Sequence, residues 1–291
     1  MPIIETQKLS FVYSAGTPYE IKAIVDINLS VEQGELVGII GNTGSGKSTL
    51  IQHLNGLLKP TSGSVFFDGR DIWSEPKKIR DIRFKVGLVF QYPEYQLFEE
   101  TVRKDIAFGP KNMGMTGDEL EESVQKAAEL VGLSPKLLEK SPFELSGGEK
   151  RRAAIAGVIA MNPRVLILDE PTAGLDPVGR DLILRMIKDY RESTGNTVML
   201  VSHSMEDIAR TVDRIVVMNK GQIAMQDNVD IIYSRADELI NMGLDVPLIT
   251  RVFMGLKAKG FNVKNNIYTI EQAKAEILAA LQLNANREVK L

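Results

Sequence analysis

Eight consecutive residues, Gly41-Asn42-Thr43-Gly44-Ser45-Gly46-Lys47-Ser48, fit the spacing G-x-x-x-x-G-K-[ST]. Glycines at those places let the backbone turn tightly, so that successive N–H groups can face phosphate oxygens. A helix starting there adds the positive end of its dipole. Lys47 would reach the outer phosphates, the Ser48 hydroxyl would ligand Mg2+, and Thr49 would lie beside them. The apolar run 36–40 reads as a buried strand and 47–58 as a helix. That context separates a phosphate cradle from a chance glycine-rich turn, and it points to binding of a nucleoside triphosphate.

Further along, the apolar run 165–168 ends in Asp169 and Glu170. Asp169 would hold Mg2+, directly or through water. Glu170 is placed to polarise a water in line with the terminal phosphate. His203 follows a third apolar run, 197–201, at the edge where Glu170 also emerges, and would contact the terminal phosphate. Gln91 ends the run 86–90; its amide could touch both Mg2+ and the attacking water. Tyr13, in the strand-like stretch 8–14, could stack on adenine or pack in the core. His53, mid-helix, reads as packing.

Leu145-Ser146-Gly147-Gly148-Glu149 adds a second surface, because a serine and two glycines opening a helix also face phosphate. One chain has no obvious way to bring Ser146, Gly147 and Gly148 onto its own nucleotide. A sandwich of two such domains is therefore expected.

Composition limits the alternatives. The 291 residues are 44% hydrophobic and 25% charged, as in a well-packed soluble protein with one domain and an appendage. The absence of cysteine removes disulfides and thiolate chemistry and suits a reducing cytosol. A net charge of −3 argues against a nucleic-acid partner. No apolar run approaches the roughly 18 residues that span a bilayer, and the first residues lack the pattern of a signal peptide. If the chain serves a membrane, other chains must hold it there.

Apolar runs alternating with helical patterns give the rhythm of an α/β domain with a largely parallel sheet. Between residues 92 and 161 strand signals vanish, which reads as an inserted helical lobe; Thr116 and Glu119 have the spacing of a capping box there. After residue 225 the alternation ends. Helices are expected over 228–239, 247–259 and 269–283, the last with a box from Thr269 to Gln272 and apolar Ile270, Ala273, Ile277 and Leu281. This C-terminal extension, 226–291, could pack on its own domain or pair with a partner's tail.

Together these residues resemble an ABC-type ATPase over residues 1–225, with each motif in the expected order. Tyr13 matches the adenine-stacking aromatic and 41–48 the Walker A loop. Gln91 matches the Q-loop, Ser146 to Gly148 the signature, Asp169-Glu170 the Walker B end, Ala173-Gly174-Leu175-Asp176 the D-loop and His203 the switch histidine. The resemblance implies a RecA-like, mostly parallel sheet core with an antiparallel β edge, ATP and Mg2+ as ligands, and head-to-tail pairing with a second ATPase chain. Within that superfamily the sequence is most similar to ATPases of energy-coupling factor (ECF) transporters, which import vitamins or metal ions. The stretch Tyr92-Pro93-Glu94-Tyr95-Gln96 matches the element by which that group contacts a transmembrane coupling subunit. Tyr92 to Tyr95 and Lys150 to Arg152 lean toward the second, A-prime, ATPase of the heterodimeric type. The resemblance further implies a separate membrane-embedded substrate-binding subunit and a peripheral place on the cytoplasmic face of the membrane. The family's signature ordinarily ends in glutamine where this chain has Glu149; the carboxylate is expected to point outward, its field softened by Lys150, Arg151 and Arg152.

Two other readings share the same motifs. An ATPase of another importer class differs only in lacking the 92–96 element and the tail. A non-transport ABC ATPase usually carries two nucleotide domains in one chain or a long coiled-coil insertion, neither of which is present.

Overall fold

The computed structural model describes residues 1–264 and 266–288. Ten strands are β1 (Ile4–Tyr13), β2 (Ile21–Val31), β3 (Leu36–Gly41), β4 (Ser62–Phe67), β5 (Arg70–Asp71), β6 (Val86–Val89), β7 (Val165–Asp169), β8 (Thr197–Val201), β9 (Arg214–Asn219) and β10 (Gln222–Asn228), counted among the described residues. The helices of the ATPase part are α1 (Lys47–Leu54), α2 (Ile79–Lys85), α3 (Val102–Met113), α4 (Gly117–Leu130), α5 (Pro135–Leu138), α6 (Gly147–Ile159), α7 (Pro177–Thr194) and α8 (Met205–Thr211). The tail adds α9 (Val229–Ser234), α10 (Ala236–Asn241), α11 (Leu248–Ala258) and α12 (Ile270–Glu288).

Every residue of β3, β7 and β8 is buried, which is why they read as unbroken apolar runs: a parallel strand is covered on both faces. They form the middle of a six-stranded sheet ordered β10-β9-β3-β8-β7-β6, parallel except for the edge pair β9–β10. A second sheet, β2-β1-β4-β5, is antiparallel. Alternate residues feed two cores. Val37 and Ile39 of β3, with Val165 and Ile167 of β7, join Leu50, Ile51 and Leu54 of α1 and the antiparallel sheet. Leu36, Ile40, Leu166 and Leu168 join α6, α7, α8 and the helical lobe.

The lobe lies between β6 and β7 in the chain, as the vanishing strand signals predict. Thr116 precedes α4 but makes no cap: Gly117, first in the helix, takes φ 58° and the threonine side chain does not meet the free N–H groups. The box at Thr269 does form, Gln272 N donating to Thr269 Oγ1 at 3.2 Å and Thr269 N to Gln272 Oε1 at 3.2 Å.

In the tail, the helix expected over 228–239 is broken at Arg235 into α9 and α10. Both pack on the ATPase core through Ile232, Tyr233, Ala236 and Leu239, whereas Phe253, Ile267 and Ala273 form a small core of their own. Residue 225 falls inside β10, so the tail continues the sheet without a linker. Ile270 and Ile277, expected on an apolar face, are 75% and 43% exposed. Asn265 and residues 289–291 of the expected extension, and the side chain of Leu281, lie outside what is described.

Candidate active site

The phosphate loop joins β3 to α1 at the carboxyl ends of the parallel strands, where α/β sheets place their ligands. Its glycines answer to real crowding. A Cβ on Gly41 would lie 2.4 Å from the Met218 carbonyl oxygen, and one on Gly46 (φ 99°) would lie 2.7 Å from that of Ala23. Lys47 is buried, and its Nζ donates to the carbonyls of Gly41 (2.6 Å) and Asn42 (3.1 Å). Burial draws its ammonium below the usual value, against the pull of Glu170 and Asp169.

The Ser48 hydroxyl donates to Asp169 Oδ2 at 3.3 Å, joining two of the three residues expected at Mg2+. Burial raises the Asp169 carboxyl, against Ser48 and Lys47. Glu170 then turns the chain out of the sheet at φ 52°, its N–H donating to the Val201 carbonyl at 3.0 Å. Burial pushes its carboxyl up to about 7, against a main-chain hydrogen bond from His203. Glu170 Oε1 is buried without a hydrogen-bond partner and lies 3.4 Å from His203 Nε2. Burial, helped by the Lys47 charge, lowers the imidazole, so at neutral pH His203 is uncharged. The contact is therefore not a salt bridge between two full charges.

Tyr13, Thr43, Gly44, Gly46, Lys47, Ser48, Thr49, Gln91, Asp169, Glu170 and His203 line one cleft of about 580 Å3. Tyr13 is 40% exposed at its rim, with its hydroxyl 3.3 Å from Thr49 Oγ1 and its ring edge-on to Phe11. Ile21, Lys22 and Ala23 complete the wall, three residues that no motif marks. Gly41, Asn42 and Ser45 do not line it; the Asn42 amide instead donates to the Met242 carbonyl in the tail. His53 is fully buried, its Nδ1 donating to the Thr49 carbonyl at 2.7 Å, and packs as expected.

Ser146, Gly147 and Gly148 open α6 on the lobe and take no part in this cleft. Glu149 does not point away from them. Its Oε2 accepts from Ser146 N (2.8 Å) and Oγ (2.7 Å), while Glu149 N donates back to Ser146 Oγ, because a free helix N-terminus is better satisfied by a capping box than by water. These bonds hold the carboxylate below its usual range. Arg152 and Lys140 are the cations that act on it, while Arg151 turns inward.

After Gln91, Tyr92 (φ 54°) leads into a single tight turn, Pro93–Gln96. Tyr92, Tyr95 and Gln96 face solvent, Pro93 is buried, and Glu94 points inward to Arg151.

The family described as ABC transporter matches residues 24–173. The energy-coupling factor transporter ATP-binding protein EcfA2 of Clostridium tetani is 55% identical over 94% of this chain and 96% of its own length. The chain belongs to the ABC ATPases, in their energy-coupling factor group. Among solved structures, cbiO1 from Clostridium perfringens, part of the ABC transporter complex cbiONQ, superposes with a TM-score of 0.75 at 36% identity, covering 89% of this chain and 97% of that one. An ATP-binding cassette solved as a dimer in a post-hydrolysis state with ADP and Pi superposes at 0.70 and 28% identity, covering 77% of this chain and 98% of that one. As a member of this ABC family, the chain is a nucleotide-binding ATPase.

Proposed function

We propose that this chain is the second ATP-binding subunit of an energy-coupling factor importer, hydrolysing ATP in a head-to-tail pair with a different ATPase chain. One observation carries the reading. A single cleft gathers Lys47, Ser48, Gln91, Asp169, Glu170 and His203, while Ser146 to Gly148 stand outside it and await another chain's nucleotide.

The donors Ser48, Asp169 and Gln91 are all hard oxygens, which suits Mg2+ held through few protein ligands and the nucleotide's phosphates. Bound there, the ion would neutralise charge developing on the phosphates. Thr43 to Ser48 orient the phosphates with main-chain N–H groups, and Tyr13 stacks on the base. Lys47 leaves its own loop's carbonyls for the outer phosphates. Glu170 accepts a proton from the attacking water through the unpaired Oε1, and neutral His203 donates to the terminal phosphate. Closure of the partner's signature excludes water, and each of those charges then acts in a medium of lower dielectric.

Among the described residues no helix is long and apolar enough to cross a membrane, which fits a peripheral subunit on the cytoplasmic face. Tyr92, Tyr95 and Gln96 would meet a transmembrane coupling subunit, and a separate membrane subunit would bind the vitamin or metal ion carried. A tagged pull-down from detergent-solubilised native membranes tests the assignment. Recovery of a related ATPase with a coupling subunit and small membrane proteins is expected; ribosomal or DNA-bound partners would overturn the transport reading.

A further inference from the structure

Arg151 lies on the second turn of α6, just beyond the residues that open it. Its side chain is only 3% exposed. Nε and Nη2 fork onto Glu94 Oε2 (3.0 Å) and Oε1 (2.6 Å). On the other side Nη1 donates to the main-chain carbonyls of Pro171 (3.2 Å) and Ala173 (2.5 Å). The Tyr92 ring centroid is 5.8 Å from its Cζ. A single guanidinium thus holds three segments remote in sequence: the turn after Gln91, the helix opened by Ser146, and the turn that follows Glu170.

Two properties make this more than a structural clamp. The guanidinium is planar and rigid, so its two ends cannot move independently. A buried charge also holds its partner strongly, because separation would leave either ion desolvated and alone. The Glu170 turn is also tied through its own N–H to Val201, through its carbonyl to Ala173 N at 3.1 Å, and through Thr172 Oγ1, which donates to buried Asp207 Oδ2 at 3.0 Å; the Arg151 bonds are the ones that lead to the 92–96 turn. Displacing Glu94 therefore drags Arg151, and with it the carbonyls of Pro171 and Ala173 beside Glu170.

We propose that Arg151 is a positioning residue that couples the 92–96 turn to the placement of Glu170. This rests on the functional reading above, in which that turn meets the membrane subunit and Glu170 activates water. Glu94 then acts as the inward-facing lever of an element whose tyrosines face outward.

The test uses the full ATPase pair, with and without its membrane subunits, comparing wild type with Glu94→Gln and Arg151→Lys. Wild type should change its hydrolysis rate on assembly with the membrane subunits; if those subunits neither bind nor alter the rate, the transport reading falls and this coupling falls with it, whereas the two variants test the coupling alone. With that response established, Glu94→Gln should lose at least about two-thirds of it. Arg151→Lys keeps the charge but loses the fork, and should lower kcat about tenfold with KM for ATP within about twofold, since the phosphate loop is untouched. Thermal melting of each variant is read alongside. A Glu94→Gln pair that responds like wild type would overturn the proposal. So would an Arg151→Lys variant in which kcat, KM and melting temperature deteriorate together, which is the signature of a merely structural tie.

Discussion

The side-chain amide of Asn42, in the phosphate loop, donates to the main-chain carbonyl of Met242 across 2.8 Å, joining positions 200 residues apart. Beside it Gly243 takes φ 78°, and a Cβ there would sit 3.3 Å from Asn42 Nδ2. The tail reaches the His203 side as well: Tyr233 donates to the Met205 carbonyl at 3.0 Å, and Leu248 N to Glu206 Oε1 at 3.1 Å. The extension is therefore tied both to the phosphate loop and to α8, the helix that follows His203. Gly243→Val would strain the turn and push Asn42 aside, at the cost of roughly one hydrogen bond. Nucleotide affinity of the purified chain should weaken about three- to tenfold in a fluorescent-ATP titration, and an unchanged affinity would show that the tail does not support the loop.

Glu149→Gln should leave turnover of the assembled complex within a few-fold of wild type. Glutamine at the third helical position closes the same capping box onto Ser146, so the signature keeps its shape while losing a charge. A large rise would show instead that the carboxylate damps the site it faces.

Tyr13→Ala should weaken ATP binding about tenfold, since stacking a base on an aromatic ring contributes about 1–3 kcal/mol. The exposure of the ring at the cleft rim favours this over a packing role. Equal affinity, measured by the same titration, would assign Tyr13 to support of Thr49.

The Glu170 carboxyl, at about 7 against an ordinary 4.5, gives a pH dependence with a definite sign. Between those values the native metal-free chain keeps a proton that the unfolded chain has released, so this residue's contribution to stability falls as pH rises. Glutamine stays neutral throughout. Relative to wild type, Glu170→Gln should thus gain stability between pH 5 and pH 8, by up to about 3 kcal/mol for roughly 2.5 units at 1.36 kcal/mol each. Urea unfolding at both pH values, with chelator present, checks it; a difference that does not vary with pH would mean the carboxyl is not held neutral.

Much of the fold is legible in the chain because parallel strands covered on both faces leave unbroken apolar runs, as in 36–40, 165–168 and 197–201. The cleft follows from them, since Lys47, Asp169, Glu170 and His203 each lie within a few residues of a strand end. The spacing of Ser146 and Glu149 also carries the signal of their box, S-x-x-E, although the same signal at Thr116 gives no cap because a glycine with positive φ follows. What leaves no local pattern is pairing across the fold: Asn42 with Met242, Glu94 with Arg151, and the wall formed by Ile21 to Ala23. The break at Arg235 is equally silent, because α9 and α10 each bury apolar residues at helical spacing and only their packing on the core fixes the angle between them.

The central claim is that Glu170 activates water in a cleft closed by a partner chain. It is tested most directly by hydrolysis in the assembled complex carrying Glu170→Gln, with the partner ATPase disabled by the equivalent change at its own site. Retained ATP binding with turnover lowered at least about a thousandfold is the predicted result. Near-normal hydrolysis would remove Glu170 from that role and contradict the account.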